Sequence, residues 1–517
     1  MKLNYKRTIL VGFAFFLISA FWQAYDATIP VILTNKFGMS QTWSGVIMAL
    51  DNILAVFMLP LFGALSDKVN TKYGKRTPFI TIGTIIAAVA LVALSFVDSA
   101  QLKNISDVST IDDPAALSVI YDTQADTKLQ TPEGQEFVLS EVFSKEQFVA
   151  IRSTIENEAG KTVTNPDYTN YVAPARQAYA AKTTASAPGA LIAFILLLLV
   201  VLVAMATYRS PAVALMPDVT IKPLRSKANA IINLMGTAGG ILVLVLGMVF
   251  ATSAVRNALM NYTTYYAVIA GIMLGALAIF LCTVREPAWS KQMRDDSVAL
   301  GIEEDEPKED GEKRGLSASE KRSLLLILAS IALWYFGYNA VTSKYAVYAG
   351  NILNMDYNTT LLLAQAAAIV AYLPAGIVAS KIGRKKTILA GVVMLTTAFG
   401  LASFMRSGSS VLLMNALFAL AGIGWATINV NSFPMVVEMC SGSDIGKYTG
   451  YYYTASMSAQ IATPMLSGLL MDNMGMTVLF PYAAIFAALA FGTMFLVKHG
   501  DAKVESKKGL EALNIDD

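Results

Sequence analysis

Twelve apolar stretches, each roughly 20 residues or longer, mark the chain, most of them separated by short polar turns. A run of that length crosses about 30 Å of hydrocarbon as a helix. The predicted spans lie at about 8–34, 42–66, 77–97, 188–216, 226–251 and 263–284, then 322–348, 358–380, 387–405, 411–437, 450–472 and 478–497. The polar stretches between them divide the chain. Residues 1–97 carry spans 1–3 and residues 188–284 carry spans 4–6, with an insert at 98–187 between them. A linker at 285–321 leads to spans 7–12 at 322–498, and a tail follows at 499–517. The first stretch has the basic flank of a secretory signal in Lys2, Lys6 and Arg7, yet it outruns the apolar core of about 7–15 residues that such signals use. It also has a counterpart later in the chain, so it is assigned as a span.

Composition sharpens this picture. Charged residues make up 15% of the chain and apolar ones 55%, with a mean hydropathy of +0.53. A soluble domain carries about 25% charged residues, so this chain has too little charge to cover a water-facing surface. A net charge of +2 offers no electrostatic footprint for nucleic acid. Two cysteines, Cys282 and Cys440, provide no disulfide framework or thiolate metal site, and the single histidine, His499, lies in the tail. Basic residues cluster on one side of the spans. Lys68, Lys72, Lys75 and Arg76, then Lys222, Arg225 and Lys227, then Lys381, Arg384, Lys385 and Lys386 share that side, against Lys36, Arg256 and Arg406 in the short loops opposite. Basic loops stay in the cytoplasm. The expected arrangement is therefore a plasma (inner) membrane protein with both termini and the linker cytoplasmic. The insert, with 13 acidic and 7 basic residues, is then external. Its polar composition suits either a small folded cap or a flexible segment, peripheral to transport.

The two sets of spans are repeats of one another. Tyr25-Asp26-Ala27 returns as Tyr338-Asn339-Ala340, 313 positions later, and Leu59-Pro60 as Leu373-Pro374, 314 later. Past the insert the offset falls to 222, where Arg209-Ser210 faces Asn431-Ser432 and Met235 faces Met457. One insertion close to the length of the insert accounts for both offsets. The expected fold class is an all-α integral membrane protein of twelve transmembrane helices in two pseudo-symmetric six-helix halves. Such parallel repeats, with substrate held between them near the midplane, resemble the plan of the major facilitator superfamily. The loop after span 2 is similar to that superfamily's loop 2–3 signature: Gly63, Asp67 with Lys68, then Gly74, Lys75 and Arg76. The resemblance implies a cytoplasmic gate in which Gly63 permits close helix approach and Asp67 pairs with a basic residue. The competing explanation is that these basic residues only satisfy the cytoplasmic charge bias.

Longer motifs narrow the resemblance. Met48 to Ile53, Tyr208-Arg209-Ser210-Pro211, Arg225 to Ala230, Trp334 to Asn339, Gly424-Trp425 with Asn429 and Asn431, and Gly446 to Tyr453 together resemble bacterial relatives of the sucrose and maltose proton symporters, near the glycoside–pentoside–hexuronide:cation symporters. The resemblance implies cation-driven uptake of a sugar, a disaccharide or glucoside, by a protein functional as a monomer, with no cofactor. Two departures stand out. Ala55 and Leu59 occupy the places where melibiose-type members carry paired aspartates, and the stretch ahead of Pro211 lacks the aspartate of the plant sucrose carriers.

Charges inside the spans point to a transport path. Asp26, Asp51, Arg209 and Lys344 each cost about 2.5–3.5 kcal/mol on insertion scales, so they are expected to face a watery cavity or one another. Asp51 is the leading proton-coupling candidate and Asp26 the second; Lys344 can instead snorkel to the surface. Asp218, Glu438 and Asp472 sit at span ends, where solvation explains them. Sugar recognition needs aromatic faces and planar polar groups. Trp22 and Asp26 share a helix face with Tyr25 alongside, and Pro30 frees the carbonyl of Asp26. Trp334 and Tyr338 repeat the pattern in span 7, with Asn339 and Lys344 nearby, and Trp425, Asn429 and Asn431 follow in span 10. Asn52 adjoins Asp51, whose repeat partner is Gln365, nine residues before Pro374. The alternative for each is an aromatic packing stripe with interhelical hydrogen bonds. Rival functions are an exporter of drugs or metabolites on the same fold and a non-transporting membrane sensor. No nucleophile–base pair, ATP-binding motif or metal-ligand cluster supports an enzyme or a primary pump.

Overall fold

The computed structural model describes residues 3–156, 160, 162–221, 224–299, 316–437, 439 and 445–500. Lys222, Glu438, Cys440, the middle of the linker (300–315) and most of the tail (501–517) lie outside the described residues, as do the side chains of Arg225, Lys227 and Lys447. In the first half, α1 (Tyr5–Asn35), α2 (Gln41–Lys68) and α3 (Thr77–Asn104) precede the insert. The insert holds α4 (Pro114–Gln124), a hairpin of β1 (Lys128–Gln130) and β2 (Glu136–Val138), α5 (Leu139–Val142) and α6 (Lys145–Ala150). A second hairpin of β3 (Thr154–Glu156) and β4 (Thr162–Thr164) follows, then α7 (Ala173–Ser186). Then come α8 (Gly189–Val219), α9 (Arg225–Val249), α10 (Thr263–Thr283) and the short polar α11 (Glu286–Ala299). The second half is α12 (Ala318–Tyr348), α13 (Tyr357–Ile382), α14 (Arg384–Ala402), α15 (Val411–Val437), α16 (Ile445–Met474) and α17 (Leu479–Phe495).

Among the described residues, ten of these helices are long and apolar enough to cross a membrane. Their outward faces carry large apolar side chains such as Phe57, Val89, Val249 and Leu412, which suit lipid rather than water. The repeat is visible in the packing. α1 lies against α9 and α10, α3 against α8 and α10; in the second half α12 lies against α16 and α17, α14 against α15 and α17. Each half has its own apolar core. Among the described residues the halves meet where α2 packs on α16, α9 on α13 and, less extensively, α1 on α12. The first seam depends on glycine: any side chain at Gly45 would collide with the Pro464 carbonyl, and one at Gly468 with that of Gln41.

Helix α3 runs about two turns past the predicted end of its span. Asp98 and Gln101 look like interfacial residues in the sequence but are fully buried. Asp98 pairs with Lys36 at 2.6 Å, and Lys36 also donates to the Met260 carbonyl at 2.7 Å. Lys36 is thus a buried partner rather than a loop charge. Between the two alternatives for the insert, the structure shows a folded cap: Ile105, Val108, Leu117, Ile120, Leu139, Phe148 and Val172 form a third core of its own. Nor is the cap isolated. Gln177 bonds Asn35 and Arg256 bonds Thr154 on the first half's side, while Thr169 bonds Asn354 and Met476 bonds Pro132 on the second's.

Candidate functional site

Trp22 of α1 lies one turn before Tyr25 and Asp26, in a helix that packs against α2, α8 and α12. Trp22 meets Tyr25 edge-on at 5.3 Å between ring centroids, and the Arg209 guanidinium of α8 lies 5.7 Å from the Trp22 ring. Arg209 is within electrostatic reach of Asp51 on α2, and Asp51 of Asp26. Asn52 donates to Asp51 Oδ1 at 2.8 Å, fixing one carboxylate oxygen. From the second half, Tyr338 lies flat on Trp425, with centroids 3.7 Å apart and planes 3° from parallel, and is within reach of the Asp26 charge. Tyr453 of α16 approaches Arg209. One cluster therefore draws two carboxylates, a guanidinium and aromatic faces from both halves. Trp22 Nε1, Tyr25 Oη and Asn339 Nδ2 are buried without hydrogen-bond partners. Such orphan donors are costly unless a ligand or water meets them.

Not every candidate joins the cluster. Trp334 is turned into the core of its half. Tyr335 meets Trp425 edge-on at 5.2 Å instead. The repeat contained that signal, since 313 positions after Trp22 comes Tyr335. Asn429 hydrogen-bonds Tyr372, and Asn431 donates to the Thr427 carbonyl of its own helix at 2.8 Å. Gln365 bonds Gln23 across the halves at 2.5 Å, a partner sequence reading passed over. Lys344 is fully buried, neither snorkelling nor beside the aromatic cluster: its Nζ donates to the Gln41 carbonyl at 2.6 Å. Beside it, Asp472 accepts from the backbone amides of Gln41 and Thr42 at 2.8 and 2.7 Å. Solvation therefore does not explain Asp472; it caps the start of α2 from the other half.

In the loop between α2 and α3, Arg76 pairs with Asp67 at 2.5 Å and with Asp218 at 2.7 Å, and also donates to Ser66 Oγ. Asp218 too is a partner rather than a solvated end. Gly74 takes a left-handed φ of 113°, and a side chain there would strike Glu286. Glu286 explains why: its carboxylate accepts from the amides of Lys75, Arg76 and Thr77 at 2.6–2.9 Å, pinning the loop to the start of α11. Gly63 packs against Ser210 of α8. Glu286 lies 210 positions from Arg76, beyond any local pattern in the sequence.

The profile of the Major Facilitator Superfamily matches residues 177–372 and 357–514, about two thirds of the chain, and that of MFS/sugar transport proteins matches residues 10–101. The chain belongs to the major facilitator superfamily. It is a multi-pass membrane protein of that superfamily, whose members are transporters and not enzymes. It is similar to the MFS-type transporter ppzB of Metarhizium rileyi, 27% identical over 29% of this chain and 32% of that protein. A shorter segment is similar to the sucrose transport protein SUC4 of Arabidopsis thaliana, 30% identical over 14% of each chain. The chain thus aligns with no more than about a third of the length of these curated relatives. The inward-open structure of the xylose transporter XylE from E. coli superposes over 99% of both chains with a TM-score of 0.58 at 15% identity, a likeness of fold. A structure described as a D-xylose-proton symporter covers 98% of this chain with a TM-score of 0.55 at 13% identity.

Proposed function

We propose that this major facilitator protein is a proton-coupled sugar importer working by alternating access. The observation that carries the reading is the midplane cluster, where Trp22 and Tyr25 of one half face the stacked Tyr338 and Trp425 of the other across two carboxylates and a guanidinium. Aromatic faces match the C–H face of a pyranose. The orphan donors of Trp22, Tyr25 and Asn339 match its hydroxyls, and Arg209 adds a cation-fixed donor. Asp51 is the coupling carboxylate in this reading, held by Asn52 and balanced by Arg209, with Asp26 second. The sugar-transport profile over residues 10–101 and the names of SUC4 and the D-xylose-proton symporter support sugar and proton, and an exporter is not favoured. We place the Arg76 loop, both termini and the linker in the cytoplasm and the insert outside, in the plasma membrane, with the monomer as the working unit.

Uptake of a labelled sugar panel into proteoliposomes, with pH and sodium gradients imposed separately, tests the reading. It expects accumulation of a disaccharide or glucoside under an inward proton gradient. Accumulation driven by sodium alone, or of no sugar, overturns it. Tags at the termini and near residue 300 are expected to be inaccessible in intact cells, and a tag near residue 130 accessible.

A further inference from the structure

Beneath the cap, where it meets both halves, lies a cavity of about 300 Å³ whose wall includes none of the residues of the aromatic cluster. Its wall includes Tyr168, Arg176 and Gln177 from the insert, Asn35 and Ser253 from the first half, and Asn354 from the second. Arg176 is only 4% exposed. Its Nη1 donates to the Tyr168 hydroxyl and its guanidinium lies 5.6 Å from the centre of that ring, while Nε and Nη2 have no hydrogen-bond partner among the described residues. A guanidinium does not lose its proton in proteins, and a buried charge left unpaired is destabilising.

The acidic groups close by are engaged elsewhere. Asp356, in the cavity wall, accepts from Ser253 Oγ at 2.6 Å and from the amides of Asn358 and Thr359 at 3.0 and 3.1 Å. Asp112, within electrostatic reach of Tyr168, accepts from Ser153 through both its amide and its hydroxyl. Neither forms an ion pair with Arg176 among the described residues.

We infer that this cavity binds a small carboxylate, seated against Arg176 with the amide groups of Gln177, Asn35 and Asn354 around it. A planar carboxylate matches the fork of a guanidinium and supplies the missing charge. Because the wall draws on the cap and on both halves, an occupant holds this end of the transporter shut: a ligand that fits only the closed arrangement shifts the population toward it. The site is separate from the sugar cluster and does not depend on the sugar reading.

Thermal unfolding of the full chain in detergent, titrated with sodium acetate against sodium chloride at matched ionic strength, tests this. The expected result is a saturable rise in melting temperature with acetate beyond that with chloride. Arg176→Gln weakens the apparent affinity by roughly tenfold or more, the loss expected for a charge-assisted hydrogen bond, and Arg176→Lys weakens it less. Gly350 lines the same cavity and a side chain added there meets open space, so Gly350→Leu blocks occupation while leaving Arg176 in place. That variant keeps the test decisive if Arg176→Gln does not fold. An acetate response no larger than that of chloride in the unmodified protein, or one undiminished in Gly350→Leu, overturns the proposal.

Discussion

Among the described residues, the two ends of the helix bundle are fastened in different ways. At the end carrying the insert, polar groups reach from one half to the other: Asp472 caps α2, Lys344 holds the Gln41 carbonyl, and Ser253 and Thr252 bond Asp356, Tyr357 and Asn358. At the opposite end, Arg76 joins Asp67, Asp218 and Ser66, and Glu286 holds the loop, all within the first half. The first arrangement ties one half to the other. The second ties together elements of a single half, which in the alternating-access reading proposed above would move as a unit. Interfaces of this kind are bistable rather than continuously deformable, because packed surfaces either mesh or separate. The cap adds to the first arrangement by bonding both halves, and whether it is peripheral to transport, as its polar composition suggests, is what its deletion tests.

The largest expected effect lies between the ends. If a proton at Asp51 links their alternation, Asp51→Asn abolishes sugar accumulation driven by a proton gradient while leaving sugar exchange measurable in proteoliposomes. Retained accumulation in that variant moves the role to Asp26. Next is Arg76→Gln, which strips Asp67, Asp218 and Ser66 of their shared partner. It is expected to cost about 1.5–3 kcal/mol per charge-assisted hydrogen bond lost from the buried side, and to slow transport severely. Unfolding in detergent and initial uptake rates measure the two, and unchanged uptake breaks the contrast between the ends.

Loosening the insert end is expected to have a smaller and opposite signature. Asp472→Ala removes the cap on α2 and favours opening by about 1–3 kcal/mol, raising thiol labelling of cysteines placed beside Gln41 in a chain lacking Cys282 and Cys440. Deleting about residues 105–180 with a short linker leaves membrane integration intact and produces the same rise in labelling. Equal labelling before and after deletion returns the cap to a peripheral role. The smallest effect concerns Asp356, which lies outside the spans. Burial raises its carboxyl pKa, but hydrogen bonds from Ser253, Thr359 and Asn358 outweigh that and hold it below the usual carboxylate value. Its contribution to stability is then complete above about pH 3.9, the unfolded value, and disappears only as pH falls through the lower folded value. Asp356→Asn is expected to cost about 0.5–1.5 kcal/mol at neutral pH. A gap between the two proteins that closes already near pH 5 would contradict the assignment.

Much of the architecture was legible along the chain because the bilayer imposes it. That each span is a helix, and how long it must be, follow from the need to satisfy every backbone group across the hydrocarbon, while the two sets of six follow from the repeat offsets. The repeat offsets of 313 and 222 anticipated which helices would pack alike, and they also contained Tyr335, masked by the neighbouring Trp334. The grouping of Trp22, Tyr25, Asp26 and Tyr338 follows from helical spacing and the repeat.

What the sequence could not determine is which polar groups find each other across long separations. Asp98, Asp218 and Asp472 all look like interfacial residues in a linear reading, yet each is a partner: to Lys36, to Arg76, and to the amides of Gln41 and Thr42. Glu286 pins a loop some 210 positions away, and Lys344 reaches a carbonyl 303 positions away. The spacing of residues along a helix determines which face they share. Only the packing of one helix on another decides whether a buried charge meets lipid, water or an opposite charge, because that depends on neighbours brought together by the fold.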